Sequence, residues 1–329
     1  MEEMTTENHG IWDRKISILV PIYNGRSHLE SLRRQLQDVS SDNIQIVIVN
    51  DGSTDISDVA FFEFFQSLPN CRIILKEHTG LVDSLNIGIQ SCLHEFIARF
   101  DVDDEFNPHR FVLQHEYLKA NEDISVVFCD YEFLSSKGRS LGTLPSAVLP
   151  ELVKLSLINP QRTPHPGAMY RKNKVLEVGG YKSIDFPAED LGLWIRLLEF
   201  GKLGSIPEVL LRYKINSTGI SSSRRKEMKS KTTQLLKSFS NSISNEDFFN
   251  DAIIGLKTYR QYRRGAAREL LTLRDLIKLL LISNMELPLK CKLFFKILLS
   301  LLRLRYCAPL FSLFIQFIHR TSVRSGLFH

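Results

Sequence analysis

Apolar and polar positions alternate at two periods along the first hundred residues. Ile16–Pro21 (ISILVP), Ile44–Val49 (IQIVIV), Cys71–Lys76 and Phe96–Asp101 are short apolar runs, and each predicts a strand. Between them lie stretches with helical spacing. Arg26–Val39 carries Leu29, Leu32, Leu36 and Val39 on one face. A second stretch carries Val59, Phe62 and Phe65, with Ser53, Thr54 or Asp55 as its expected cap, and a third runs Leu81–Cys92. Strands alternating with helices of about a dozen residues imply βαβ units and a mostly parallel sheet.

After Asp104 the pattern is less regular. It predicts a helix over Pro108–Ala120, a strand over Ser125–Glu132 and a loop-rich connection over Gly138–Pro150. A short strand follows at Gly167–Arg171, then a helix over Glu189–Phe200 with Leu193, Leu197 and Phe200 on one face. Leu203–Ile206 and Val209–Tyr213 read as two strands, and Ser217–Ser223 as a flexible segment.

The chemistry gathers where strands end. Phe96–Asp104 (FIARFDVDD) runs from an apolar strand into Asp101, Asp103 and Asp104. Three neighbouring carboxylates repel one another, and a hard divalent cation would relieve that repulsion. In an extended segment Asp101 and Asp103 point to the same side. The plain alternative is a solvated acidic turn. Tyr23-Asn24 and Asp51–Asp55 also follow strands. In parallel sheets ligands bind beyond the carboxyl ends, so three polar clusters there favour a site. Glu189 and Asp190 stand at a predicted helix start, where the dipole favours negative charge. One of them could equally be a general base.

Composition and charge add a division. The chain has 329 residues, 43% hydrophobic and 24% charged, which excludes a disordered protein. Five scattered cysteines without a C-x-x-C pair argue against a disulfide framework or zinc site, and for a reducing compartment. The polar, acidic start is unlike a secretory signal. From Arg224 onward 20 Lys/Arg stand against 7 Asp/Glu, whereas residues 1–223 hold 22 against 30. Within the basic part, Leu270–Phe317 is rich in Leu, Ile and Phe but broken by charges, too often for a spanning helix. Amphipathic helices of this kind lie on anionic membrane surfaces or pack on a neighbouring domain. No recognised nucleic-acid module accompanies the charge, so nucleic acid is not an expected partner. The expected domains are a polar tail (1–13), a catalytic domain (14–223) and a basic helical extension (224–329).

Six segments together resemble family 2 glycosyltransferases: ISILVPIYNG (16–25), IVIVNDGSTD (46–55), EHTGLVDSLNIGI (77–89), FIARFDVDD (96–104), HPGAMYRKNKVLEVGGY (165–181) and AEDLGLWIRL (188–197). The resemblance spans about residues 14–221. It implies a GT-A fold, a Rossmann-like α/β sheet flanked by helices, here with a C-terminal helical extension. It also implies an inverting transfer from a nucleotide-sugar, such as a UDP-sugar, to a hydroxyl of a glycan or lipid-linked glycan. Pro21 and Tyr23 would line the nucleotide pocket, and Asp51 would bind the base. Asp103 would be the direct ligand of a divalent cation (Mn²⁺ or Mg²⁺), with Asp101 nearer the ribose. Asp190 would be the catalytic base, and Glu189 would shape the acceptor pocket.

Other positions carry two readings each. Arg99 either pairs with Asp101 or reaches the nucleotide. Trp194, one turn after Asp190, is either an acceptor platform or core. Asn216 stands where the family often has a metal-binding His. His78, where Asn is common, is expected at the pocket rim, and His165 is expected to be structural. The expected setting is the cytoplasmic face of a membrane, in envelope polysaccharide or lipopolysaccharide synthesis. The alternatives are an inactive nucleotide-sugar-binding scaffold of the same fold and a sugar nucleotidyltransferase. ISILVPIYNGR lacks the Gly-rich basic loop that the latter needs.

Overall fold

The computed structural model describes residues 14–144, 153, 157, 163–216 and 219–242. The N-terminal tail and the amphipathic pattern expected over Leu270–Phe317 lie outside the described residues. Up to Leu235 the described residues belong to one compact unit.

Four strands form the parallel half of the sheet: β1 (Ile16–Ile22), β2 (Ile44–Asp51), β3 (Cys71–Lys76) and β4 (Phe96–Arg99), in the order β3-β2-β1-β4. Every residue of β1 and β2 is buried. That explains their unbroken apolar runs, since strands covered on both faces lose the usual alternation. β3, at the sheet's edge, is only partly buried. Helix α1 (Leu29–Val39) buries the predicted Leu29, Leu32, Leu36 and Val39. Helix α3 (Leu81–Ser91) packs through Gly88, where an added Cβ would meet Leu19 Cδ1 at 2.2 Å.

Helix α2 (Asp58–Phe65) corrects two expectations. Its buried pair is Phe61 and Phe65, while Val59 and Phe62 are exposed. Every position from 59 to 65 except Glu63 is apolar, so spacing alone does not choose the buried face. Its cap is Ser57, whose Oγ accepts from Ala60 N–H at 3.3 Å. The expected caps are engaged elsewhere, as described below.

The second half of the sheet is mixed. β5 (Glu105–Phe106), β6 (Ile124–Leu134), β7 (Ser140–Leu144), β8 (Met169–Arg171) and β9 (Lys202–Lys214) continue the order as β8-β6-β9-β5, with β7 on β6. β8 runs antiparallel to β4 and β6, and β9 runs parallel to β6. The two strands expected after residue 202 are one. Register shifts around Asp130 absorb Pro207 and Glu208 in a bulge, which accommodates a residue without an N–H. β7 occupies part of the expected loop; its residues are almost all exposed, so no apolar pattern marked it. Helix α4 (His109–Ala120) buries Arg110, Phe111, Gln114 and Leu118. The remaining helices are α5 (Lys172–Glu177), α6 (Glu189–Leu197), α7 (Ile220–Ser223) and α8 (Arg225–Ser242). Phe200 falls beyond α6 and is 39% exposed, so it does not share the buried face of Leu193 and Leu197.

Candidate active site

The carboxyl ends of β1, β2 and β4 meet the three polar clusters. Pro21 is inside β1, and Tyr23 is the first residue beyond it, 48% exposed. Asn24 and Arg26 knit this end to the loop after β2. Asn24 N–H donates to Ser53 Oγ (3.0 Å), Thr54 N–H donates to Asn24 Oδ1 (2.8 Å) and Arg26 N–H donates to Asp55 Oδ2 (2.8 Å). The expected helix-capping residues therefore hold two loops together. Gly52 adopts φ +67° where a Cβ would lie 2.6 Å from the His78 backbone nitrogen.

Asp51, the last residue of β2, is buried and heavily bound. Its carboxylate accepts from Lys76 Nζ and from the backbone N–H groups of Thr79 and Gly80, each at 3.0 Å. His78 Nδ1 lies 2.9 Å from Asp51 Oδ2. Burial alone would raise the Asp51 pKa, but Lys76, the Thr79 N–H and His78 hold it below the usual carboxylate value. The His78 ring stacks on Tyr23 with centroids 4.0 Å apart, so this histidine joins Tyr23 to Asp51.

The acid cluster forms differently from the expectation. β4 stops at Arg99, and Asp101–Asp104 is a turn rather than extended chain. The turn still brings carboxylate oxygens of Asp101, Asp103 and Asp104 within 4.8 Å of one another. Arg99 is 2% exposed, and its Nη1 lies 2.5 Å from Asp101 Oδ2. Asp104 is buried and accepts from Lys214 N–H at 2.8 Å, but its Oδ2 has no hydrogen-bond partner among the described residues. Burial and the charges of Asp101 and Asp103 push the Asp104 pKa well above the ordinary value. Burial also raises that of Asp101, against the opposing pull of Arg99. Three clustered carboxylates with an unsatisfied buried oxygen fit a hard divalent cation. Asn216 adjoins the cluster, its Nδ2 3.3 Å from Asp103 Oδ2. Rotating that amide by half a turn would present its oxygen instead.

Glu189 and Asp190 open α6, as the sequence predicts. Arg99 and Asp101 act electrostatically on both, so the two acidic motifs share one neighbourhood. Burial and Asp190 push Glu189 up to about 8, and Glu189 Oε2 has no partner among the described residues. Burial also raises Asp190, while the Leu191 N–H, donating at 2.7 Å, partly offsets it. Trp194 is fully buried, edge-on to Phe128 with centroids 5.2 Å apart. It is a core residue and cannot be an acceptor platform in this arrangement. His165 is buried, lies 2.7 Å from Tyr181 Oη through Nε2, and is kept neutral by burial.

Three neighbouring residues carry no motif that marks them in the sequence. Lys76 neutralises Asp51. Arg110 is fully buried and donates to the carbonyls of Arg99 (2.8 Å), Pro166 (2.7 Å) and Ala168 (2.9 Å), and to Gln114 Oε1 (2.9 Å). Gln114 donates in turn to the carbonyls of Gly167 and Val127. Together they bind the strand leading into the acid cluster to the 166–168 segment. The available signal was their i, i+4 spacing on the helix face shared with Leu118.

The profile of glycosyl transferase family 2 matches residues 17–181, half of the chain. The chain belongs to this family. Among similar family members is the amylovoran biosynthesis glycosyltransferase AmsE of Erwinia amylovora, 28% identical over 214 residues, covering 63% of this chain and 79% of that protein. Another is the UDP-Gal:alpha-D-GlcNAc-diphosphoundecaprenol beta-1,3-galactosyltransferase of Escherichia coli, 27% identical over 207 residues, covering 60% of this chain and 73% of that protein. Among solved structures, S. aureus TarS 1-349 in complex with UDP-GlcNAc aligns with a TM-score of 0.57 at 14% identity, covering 82% of this chain and 81% of that one. That likeness shows the shared GT-A fold.

Proposed function

We propose that this glycosyltransferase moves a sugar, with inversion, from a nucleoside-diphosphate donor, a UDP-sugar, to a hydroxyl of a glycan or lipid-linked glycan. The observation that carries the reading is the shared neighbourhood of the Asp101–Asp103–Asp104 cluster and the Glu189–Asp190 pair, around Arg99 at one sheet edge.

Pro21, Tyr23 and Asp51 form the base side of the donor site. Asp51 orders the loop through Thr79 and Gly80, and it meets the base as an acceptor in place of one of the four groups its carboxylate holds, namely Lys76, His78 and the N–H groups of Thr79 and Gly80. Arg99 holds Asp101 toward the ribose. A divalent cation (Mn²⁺ or Mg²⁺) on Asp103 and Asp101, with Asn216 beside them, would neutralise the diphosphate leaving group when bound. Asp190 takes the proton of the acceptor hydroxyl as that oxygen attacks the anomeric carbon opposite the diphosphate. Its raised pKa brings it closer to the proton it must accept. One displacement inverts the centre without a covalent intermediate, unlike a retaining glycosidase. Glu189, largely protonated near neutral pH, shapes the acceptor side as a hydrogen-bond donor.

The names of the two relatives concern amylovoran biosynthesis and a diphosphoundecaprenol-linked acceptor, which supports a role in polysaccharide or lipid-linked glycan assembly. Such acceptors suit a protein working peripherally at the cytoplasmic face of a membrane. Among the described residues no helix is long and apolar enough to cross one.

Calorimetry of UDP binding tests the donor site. The full chain should bind UDP with Mn²⁺ or Mg²⁺ and lose at least about tenfold in affinity in EDTA. In Asp103→Ala the metal dependence should vanish. Equal metal dependence in that variant would remove Asp103 from the role.

A further inference from the structure

Residues 221–224 connect the acid cluster to the loop before Glu189. Ser222 Oγ donates to Asn216 O (2.7 Å), and Asn216 adjoins Asp103. Tyr213 Oη lies 3.4 Å from Ser221 Oγ, which adds a second tie to β9. Arg224 follows directly, and its guanidinium carbon sits 5.2 Å from the centroid of the Phe186 ring. Phe186 is three residues before Glu189. The basic run therefore begins on the loop that leads into the catalytic pair.

Its chemistry is one-sided. Arg224, Arg225, Lys226 and Lys229 are exposed, and Lys231 is half-buried. The sole acid from Asn216 to Lys237 is Glu227, which pairs with Arg224 at 3.2 Å. On the facing loop, Asp185 is buried and engaged by Arg196 at 2.5 Å, while Lys182 is exposed. Exposed apolar residues adjoin this contact along the chain: Ile184, two residues before Phe186, is 75% exposed, and Ile220, whose carbonyl accepts from Arg224 N–H at 2.9 Å, is 38% exposed. A dense positive charge beside exposed aliphatic groups complements a ligand with a compact polyanionic head and an apolar tail.

We infer that the surface formed by Arg224, Arg225 and Lys226 with Phe186, Ile184 and Ile220 is the acceptor-docking surface, and that it binds the diphosphate of a lipid-linked glycan acceptor. The inference rests on the acceptor class proposed above and adds the place and the group recognised. The diphosphate lies on the basic run, the lipid leaves past Ile184 and Ile220, and the glycan end reaches Asp190.

The probe is farnesyl diphosphate, titrated into the full chain with saturating UDP and Mg²⁺ so that the donor site is filled. Farnesol, inorganic pyrophosphate and phosphatidylglycerol vesicles are the comparison arms. Farnesyl diphosphate should bind at least about tenfold tighter than farnesol or pyrophosphate. The triple variant R224E/R225E/K226E should lose at least about tenfold of that affinity, with UDP affinity within about twofold of wild type. Equal affinity in the variant would overturn the assignment. Equal binding of pyrophosphate would reduce the surface to a plain anion site, and binding of the vesicles in place of farnesyl diphosphate would make it a membrane contact; either result overturns the proposal. Failure of UDP to bind wild type would instead strike at the donor reading, so the two failures are separable.

Discussion

The Ser17–Gln45 network at the amino end of the parallel sheet and the acid clusters at its carboxyl end handle buried polarity in opposite ways. At the amino end, Ser17 Oγ donates to Gln45 Oε1 (2.7 Å) and accepts from His94 N–H (3.1 Å). Gln45 Oε1 also accepts from Leu93 N–H (2.7 Å), and its amide donates to Ser91 O (3.1 Å). At the carboxyl end, Asp104 Oδ2 and Glu189 Oε2 are buried without partners among the described residues. Asp101, Asp104, Glu189 and Asp190 all have raised pKa values there. A satisfied network stabilises the fold. Clustered acids cost stability unless something positive or hydrogen-bonding arrives. One sheet thus keeps its satisfied polar network and its unsatisfied acids apart.

The contrast is sharpest at Asp190. Asp190→Asn should lower sugar transfer by roughly 10²–10⁴-fold, the usual contribution of a general base. UDP affinity, by calorimetry, should stay near wild type. Near-normal transfer would show that the base is another group.

The amino end should respond in stability rather than activity. Gln45→Ala leaves the Leu93 N–H and the Ser17 hydroxyl short of a buried partner, a loss of about 1–3 kcal/mol in urea unfolding. UDP affinity per folded molecule should not change. An equal loss of donor affinity would mean that the two ends are coupled.

A third expected effect is on pH dependence. Glu189 is raised from 4.5 to about 8 in the folded protein. Between those values the folded state binds more protons than the unfolded chain, so this group's contribution to stability falls as pH rises. Without divalent cation, the wild-type Tm should therefore drop more steeply from pH 5 to pH 9 than that of Glu189→Gln. Parallel curves for the two proteins would contradict the raised pKa.

Much of this was legible from residues alone where a pattern is local and repeated. The strands of the parallel half are continuous apolar runs, and α1 has one clean stripe. Asp103 and Asp190 stood out because acids at the end of a strand or the start of a helix are chemically conspicuous. α2 is not legible in this way because Phe61, Phe62, Phe64 and Phe65 are all apolar, so only the neighbours decide which ones turn inward. Trp194 shares a helix with Asp190, but its burial depends on Phe128 from a distant strand.

By itself, the sequence determined the alternation of elements, the acidic motifs and the change of charge at Arg224, because each is set by nearest neighbours and residue chemistry. Only the tertiary structure decided which buried groups lack partners. It also decided that the FDVDD segment turns, that Asp51 is shared between Lys76 and the 78–80 loop, and that Arg110 fastens the strand behind the acids. Those outcomes depend on groups distant in the chain, such as Lys76, 25 residues from Asp51, and Ala168, 58 residues from Arg110. Such contacts form when the sheet closes, and no local pattern encodes them.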